Sequence, residues 1–239
     1  MASMRDRVYR EQFEEGPGGW YGWISNAGGP KPLQWQPGQL TSRSPWWIDY
    51  NHAPPGLGYM HLLYMLNTGG RPGEHQRETE GENRFLAGGY PTDFRNAKMS
   101  LRLRGEIEAK GAKLNLLCQG NKGGLTSGWL LTGQSIDVTP DFTDQTLTLG
   151  SDSSQWKCMG TRHDRVGYYG ELPFDTILSD VNVDILLVLH PLAIEPMGPI
   201  DGDRHQLRPE KDYPVWRTRL PEGYVNLDEV RIEFAAGAA

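Results

Sequence analysis

Residues 44–66 read SPWWIDYNHAPPGLGYMHLLYML, and their polar groups are spaced for chemistry. Asp49, Asn51 and His52 stand just before the turn Pro54-Pro55-Gly56. Proline fixes φ, so this turn holds its neighbours with little entropy left to lose, which is how a loop is organised in advance as a site. A histidine beside a carboxylate is the usual arrangement for proton transfer near neutral pH. His52 is therefore the candidate general base, with Asp49 orienting it or stabilising its charged form, and Tyr59 or Glu106 is the candidate acid. The competing reading has Asp49 and Asn51 capping the backbone amides of their own loop, as Asx residues do, with His52 an ordinary hydrogen-bonding residue.

Trp46 and Trp47 lie in the same stretch, and Trp20, Tyr21, Trp23 and Trp35 precede it. Flat rings stack on the apolar faces of sugars and on other rings, and they equally fill sandwich cores. Counted in twos, His61 shares a strand face with Tyr59, Leu63 and Met65. Arg102, Arg104 and Glu106 line the polar face of another strand, where an arginine fork suits a carboxylate. With Asn51, Gln119, Trp129 and His190, these complete the candidate ligand contacts. His52, His61 and His190 lack the close spacing that marks a strong metal site. Asp201 and Asp203 flank Gly202, a pattern commoner in Asx turns than in calcium loops. A second dense polar stretch holds His163, Asp164, Arg165, Tyr168, Tyr169 and Glu171. No nucleophile elbow, P-loop, dinucleotide-binding glycine set or zinc-cysteine pattern occurs, and no organic cofactor is expected.

The elements that must position these groups are strands. In KMSLRLRGEIEAKG, Met99, Leu101, Leu103 and Ile107 fall on one face and the charged residues on the other. AKLNLLCQG follows after Gly111 and predicts a hairpin with it. QTLTLGS, VNVDILLVLHPL, DEVRIEF and GYMHLLYMLN are further strands, the third with Val230, Ile232 and Phe234 opposite Glu229, Arg231 and Glu233. Helical periodicity is confined to residues 173–182 and to a turn in the N-terminal MRDRVYREQFEE. Residues 67–83 and 191–214 predict two long loops, which in compact domains are often functional. With 30 glycines and 17 prolines to make turns, the pattern is an all-β antiparallel sandwich with long loops and little helix.

Three segments in chain order resemble the galactose-binding-like β-jelly rolls, such as the family 4, 9 and 22 carbohydrate-binding modules. FEEGPGGWYGW (residues 13–23) is similar to their opening, WLLTGQSIDVTPDFTDQTLTLGSDSSQW (129–156) to their middle, and GYVNLDEVRIEF (223–234) to their closing strand. The resemblance implies an eight- or nine-stranded jelly roll with a concave ligand face. It also implies a structural calcium ion near the termini, with Glu14 and Asp228 as candidate ligands, oxygen donors suiting a hard cation. The tryptophan-rich stretch of residues 44–66 is no part of that pattern.

A chain of 239 residues is long enough to bury a core without staples and is read as one jelly-roll domain, with residues 1–12 as an N-terminal extension. Net charge is −6, so no broad basic field exists to hold phosphate backbones, and nucleic acid is not an expected partner. No segment has the length of apolar residues that spans a bilayer, and no apolar signal region opens the chain, so a cytoplasmic location is expected, or a secreted one if a signal was removed. Cys118 alternates with Leu114 and Leu116 and reads as a buried, reduced core residue. The expected function is binding, and with it cleavage, of a carbohydrate or sugar-like small molecule on the concave face, by hydrolase or lyase acid–base chemistry. Two alternatives stand beside it: a non-catalytic carbohydrate-binding module, and a jelly-roll lyase or cyclase acting on an aromatic or terpenoid natural product. Homo-oligomerisation is left open.

Overall fold

The computed structural model describes residues 7–25, 29–49, 57–69, 82–160, 169–193 and 219–236. In chain order the strands are β1 (Val8–Glu11), β2 (Trp20–Ser25), β3 (Gly29–Lys31), β4 (Gln34–Gln36), β5 (Gln39–Arg43), β6 (Ile48–Asp49) and β7 (Met60–Asn67). After the short helix α1 (Arg84–Ala87) come β8 (Ala97–Glu108), β9 (Lys113–Lys122), β10 (Leu125–Leu131), β11 (Thr143–Leu149) and β12 (Trp156–Cys158). Helix α2 (Phe174–Leu178), β13 (Asp184–His190) and β14 (Glu222–Glu233) complete the order. The smaller sheet runs β11-β8-β14-β5-β4, and the larger runs β12-β10-β9-β13-β7-β2-β3 with β6 laid on β7. Every ladder between these strands is antiparallel. From β5 onward the chain repeatedly crosses between the two sheets, the winding expected of a jelly roll.

The alternation read in the sequence decides which side chains meet. Met99, Leu101 and Leu103 of β8 and Val230 and Ile232 of β14 point into the space between the sheets. Leu114, Leu116 and Cys118 of β9 and Ile185, Leu187 and Leu189 of β13 meet them from the other side. Cys118 is buried there and unbridged, as its spacing predicts. Tyr64 of β7 joins the layers through polar atoms: its hydroxyl accepts from the Ser42 N–H at 3.0 Å and donates to the Val225 carbonyl.

Three local expectations are corrected. First, β8 and β9 do not form a hairpin. The tight turn at Lys110 and Gly111, both with positive φ, carries the chain from one sheet to the other. Both strands bury apolar faces, and these faces pack on each other across the core rather than side by side. Second, the N-terminal segment forms no helical turn: β1 pairs with the last strand, Val8 opposite Glu233 and Glu11 opposite Val230. Third, counting in twos fails along β7, because a bulge against Leu187 and Val188 of β13 shifts the register. Leu63 and Tyr64 both enter the inter-sheet core, while Met65 turns to the outer face. Helix α2 forms where the periodicity puts it. Among the described residues no helix is long and apolar enough to cross a membrane.

Candidate functional site

A strand with one face in solvent alternates buried and exposed, and β8 does so. The central strands of the larger sheet do not: β13 is buried at every residue and β7 at all but its last. The outer face of this sheet carries a second apolar layer, built on Met60 and Leu62 of β7, Leu117 of β9, Leu130 of β10, and Leu186 and Val188 of β13. Tyr21, Trp23 and Trp47 form an aromatic chain within it, each ring centroid 6.4 Å from the next. The Trp47 indole nitrogen is buried there without a hydrogen-bond partner.

Polar groups stand at both ends of the layer, because the sequence of β13, DILLVLH, is polar only at its tips. At one end Asp184 lies in cross-strand register with Gln119 of β9 and Asn67 of β7. The Tyr21 hydroxyl donates to Asn67 Oδ1 at 2.8 Å, and the Gln119 amide nitrogen faces the Met159 sulfur at 3.9 Å. Asp184 is 7% exposed, and its Oδ1 has no hydrogen-bond partner. Burial, with no compensating cation among the described residues, pushes its pKa up to about 7. Six residues along β13, about 20 Å by strand rise, His190 closes the other end. Its Nε2 lies 3.3 Å from the Leu57 carbonyl, and burial lowers its pKa, which favours the neutral ring. Asn115 beside it donates to the Lys113 carbonyl at 2.8 Å.

The candidates from the sequence divide among three surfaces. Trp47 and Asp49 belong to the outer face of the larger sheet, Asp49 opposite Met60, and Gln119 and His190 join them there. His61, Trp46, Trp129 and the half-buried Tyr59 belong to the inter-sheet core instead. The Trp46 indole donates to Ser42 Oγ at 2.9 Å, and that of Trp129 to the Leu172 carbonyl at 3.2 Å. His61 Nδ1 lies 3.1 Å from the Trp47 carbonyl, and burial lowers its pKa to about 4, so it is a neutral core ring. Arg102, Arg104 and Glu106 lie on the outer face of the smaller sheet. Arg102 is held by Asp144 at 3.0 Å and Asp228 at 2.9 Å, Arg104 sits 4.7 Å from the Phe142 ring centre, and the Tyr224 hydroxyl reaches Glu106 at 3.5 Å. Asp49 and Glu106, both expected at one ligand site, therefore lie on opposite outer faces with the core between them, while Tyr59, the other candidate acid, packs against the inter-sheet core. Asn51 and His52, with Asp201, Asp203 and residues 161–168, lie outside the described residues.

Of the two carboxylates named for calcium, Glu14 is exposed and Asp228 is engaged by Arg102. Among the described residues no cluster of three His, Cys, Asp or Glu could hold a metal ion, whereas a hard cation of this kind takes six or more oxygens. The buried carboxylate near the chain start is Glu11. It accepts from the Phe13 N–H at 2.8 Å and from Arg84 at 2.6 Å, so a guanidinium supplies the countercharge. Gly18 makes the close approach to Glu11 possible, since a Cβ there would stand 1.9 Å from its Oε2.

The sequence reading missed Asp184, Asn67, Asn115 and Glu11, and used Tyr21 only as a ring. For Asp184 the signal was present: an acidic residue on the same face as Leu186 and Val188, in a strand apolar on both faces. Comparison with protein-family models, with curated proteins and with solved structures found no match.

Proposed function

We propose that this chain binds a small molecule against the outer face of its larger sheet, and that the ligand is mostly apolar with few polar atoms. The observation that carries the reading is the second apolar layer on that face, with its aromatic chain and polar groups only at its ends. Small-molecule sites have this composition: apolar and aromatic walls, with a few placed polar groups that fix orientation. Of the ligand classes raised by the sequence, a hydrophobic natural product agrees with this surface better than a polysaccharide, whose many hydroxyls would need many polar partners. Acid–base chemistry on such a ligand would fall to Asp184 and Asp49 in place of Glu106.

Carbohydrate binding is the second reading, and the outer face of the smaller sheet favours it. Arg43 lies 4.8 Å from the Tyr224 ring centre, Arg104 lies against Phe142, and Thr41 donates to Asn226 at 2.6 Å, so flat rings and polar forks alternate on one surface. Titration followed by calorimetry, which detects binding at either face, separates the two. Camphor, as an apolar probe, is expected to give a saturable change, and cellohexaose and xylohexaose none. Saturable binding of either oligosaccharide that Arg104→Ala abolishes, with no response to camphor, would reverse the order of the readings. No response to any of the three would mean that the layer is simply a second core.

A further inference from the structure

Resting on the binding reading just given, we propose that Asp184 is the polar anchor of that ligand: a neutral carboxyl whose O–H is donated to an acceptor oxygen on an otherwise apolar molecule. The ligand class is therefore a ketone, aldehyde, ester or ether with a hydrocarbon body.

The geometry argues this from what surrounds the side chain. Asp184 is more than nine-tenths buried, and its Oδ1 has no partner. Its cross-strand neighbours are committed elsewhere: Asn67 Oδ1 receives the Tyr21 hydroxyl, and the Gln119 amide nitrogen faces the Met159 sulfur. Among the described residues the titratable groups that interact with Asp184 are Tyr21 of β2 and the Cys118 thiol of β9, and Tyr169 interacts in turn with Tyr21. Burial pushes Tyr21 and Cys118 towards their neutral forms, and no lysine, arginine or histidine among the described residues pairs with Asp184. An apolar layer without a cation favours the uncharged carboxyl. A neutral carboxyl is a donor as well as an acceptor, so its O–H is left in want of an acceptor. The Trp47 indole N–H is a second donor without an acceptor in the same layer. In its neutral form Asp184 is thus a buried donor without an acceptor, which an acceptor-bearing ligand would supply. A native protein keeps few buried polar atoms unpaired without a functional reason.

Binding and protonation are linked, so a ligand that takes the O–H of Asp184 must raise the pH at which that proton leaves. The test is the carboxyl carbon resonance of Asp184, assigned with Asp184→Asn and titrated from acid to alkaline pH. Ligand-free protein is expected to titrate near 7. Saturating camphor is expected to raise the midpoint by about one pH unit, the equivalent of roughly tenfold tighter binding to the protonated form. The hydrocarbon camphane, which lacks the ketone, is expected to leave the midpoint in place. Asp184→Asn keeps a donor at this position, so its affinity for camphor should be the same in acid and alkali. Camphor that binds equally well at both pH values to the parent, or that lowers the midpoint, overturns the anchor and leaves the binding face standing. Failure of both camphor and camphane to bind overturns the anchor and the binding reading together.

Discussion

Two buried titratable side chains pull the stability of this protein in opposite directions. Asp184 has its pKa raised by burial from 3.8 to about 7, so the folded state holds a proton that the unfolded chain has already lost. Its stability contribution is whole below pH 3.8 and is lost as pH rises to 7, a cost of about 4 kcal/mol by linkage. His61 has its pKa lowered by burial from 6.5 to about 4, so its contribution is whole above 6.5 and falls by about 3 kcal/mol as pH drops to 4. Between roughly pH 4 and 6.5 the two slopes cancel. Urea denaturation of the parent should therefore show little pH dependence from these groups in that window. Asp184→Asn removes one slope, so its stability should climb by about 3 kcal/mol from pH 4 to 6.5, and above pH 7 it should exceed the parent. A variant no more stable than the parent at pH 8 would mean that Asp184 is ionised and solvated in the folded protein.

At the scale of elements, β7 does more than add a strand to the larger sheet. Its bulge delivers Tyr64 to the core, where the hydroxyl bridges β5 and β14 of the opposite sheet. Tyr64→Phe keeps the ring and strands the Ser42 N–H and the Val225 carbonyl without that partner. The expected loss is about 1–3 kcal/mol in chemical denaturation, the cost of buried polar groups left unpaired. An unchanged midpoint would show that the two strand groups find other partners. The same bulge explains a failure of reading: His61 and Met65 share parity in the sequence but face opposite sides of the sheet. A bulge is set by the partner strand, here β13 more than a hundred residues away, so no count along β7 alone can find it.

For the whole molecule, the two outer faces differ in kind. One is polar, with Arg102 paired to Asp144 and Asp228, and the other is a buried apolar layer. Near the meeting of first and last strands, Arg84 supplies the countercharge of the buried Glu11 carboxylate and ties α1 to β1. Thermal unfolding should therefore be unmoved by EDTA. Arg84→Ala should lower stability by about 3 kcal/mol, the low end for breaking a buried pair, because Arg84 is itself 34% exposed. A Tm that falls with EDTA and recovers with calcium would place the countercharge on a metal instead.

The sequence by itself determined the class of fold. Period-two alternation in β8, β11 and β14 and the density of glycine and proline leave little besides an antiparallel sandwich. It also determined that Cys118 is a core residue and that Asp184 shares a strand face with Leu186, Val188 and His190. Only the tertiary structure decided which of two apolar faces meets the other sheet, and therefore that Trp46 and His61 are core while Trp47 and Asp184 line an outer layer. The physical reason is that alternation states which residues lie together, not what lies opposite them. The environment of a buried carboxyl is set by strands that pair across long separations: β13 meets β7 and β9 at Asp184, and only there is it set among groups that, among the described residues, include no cation.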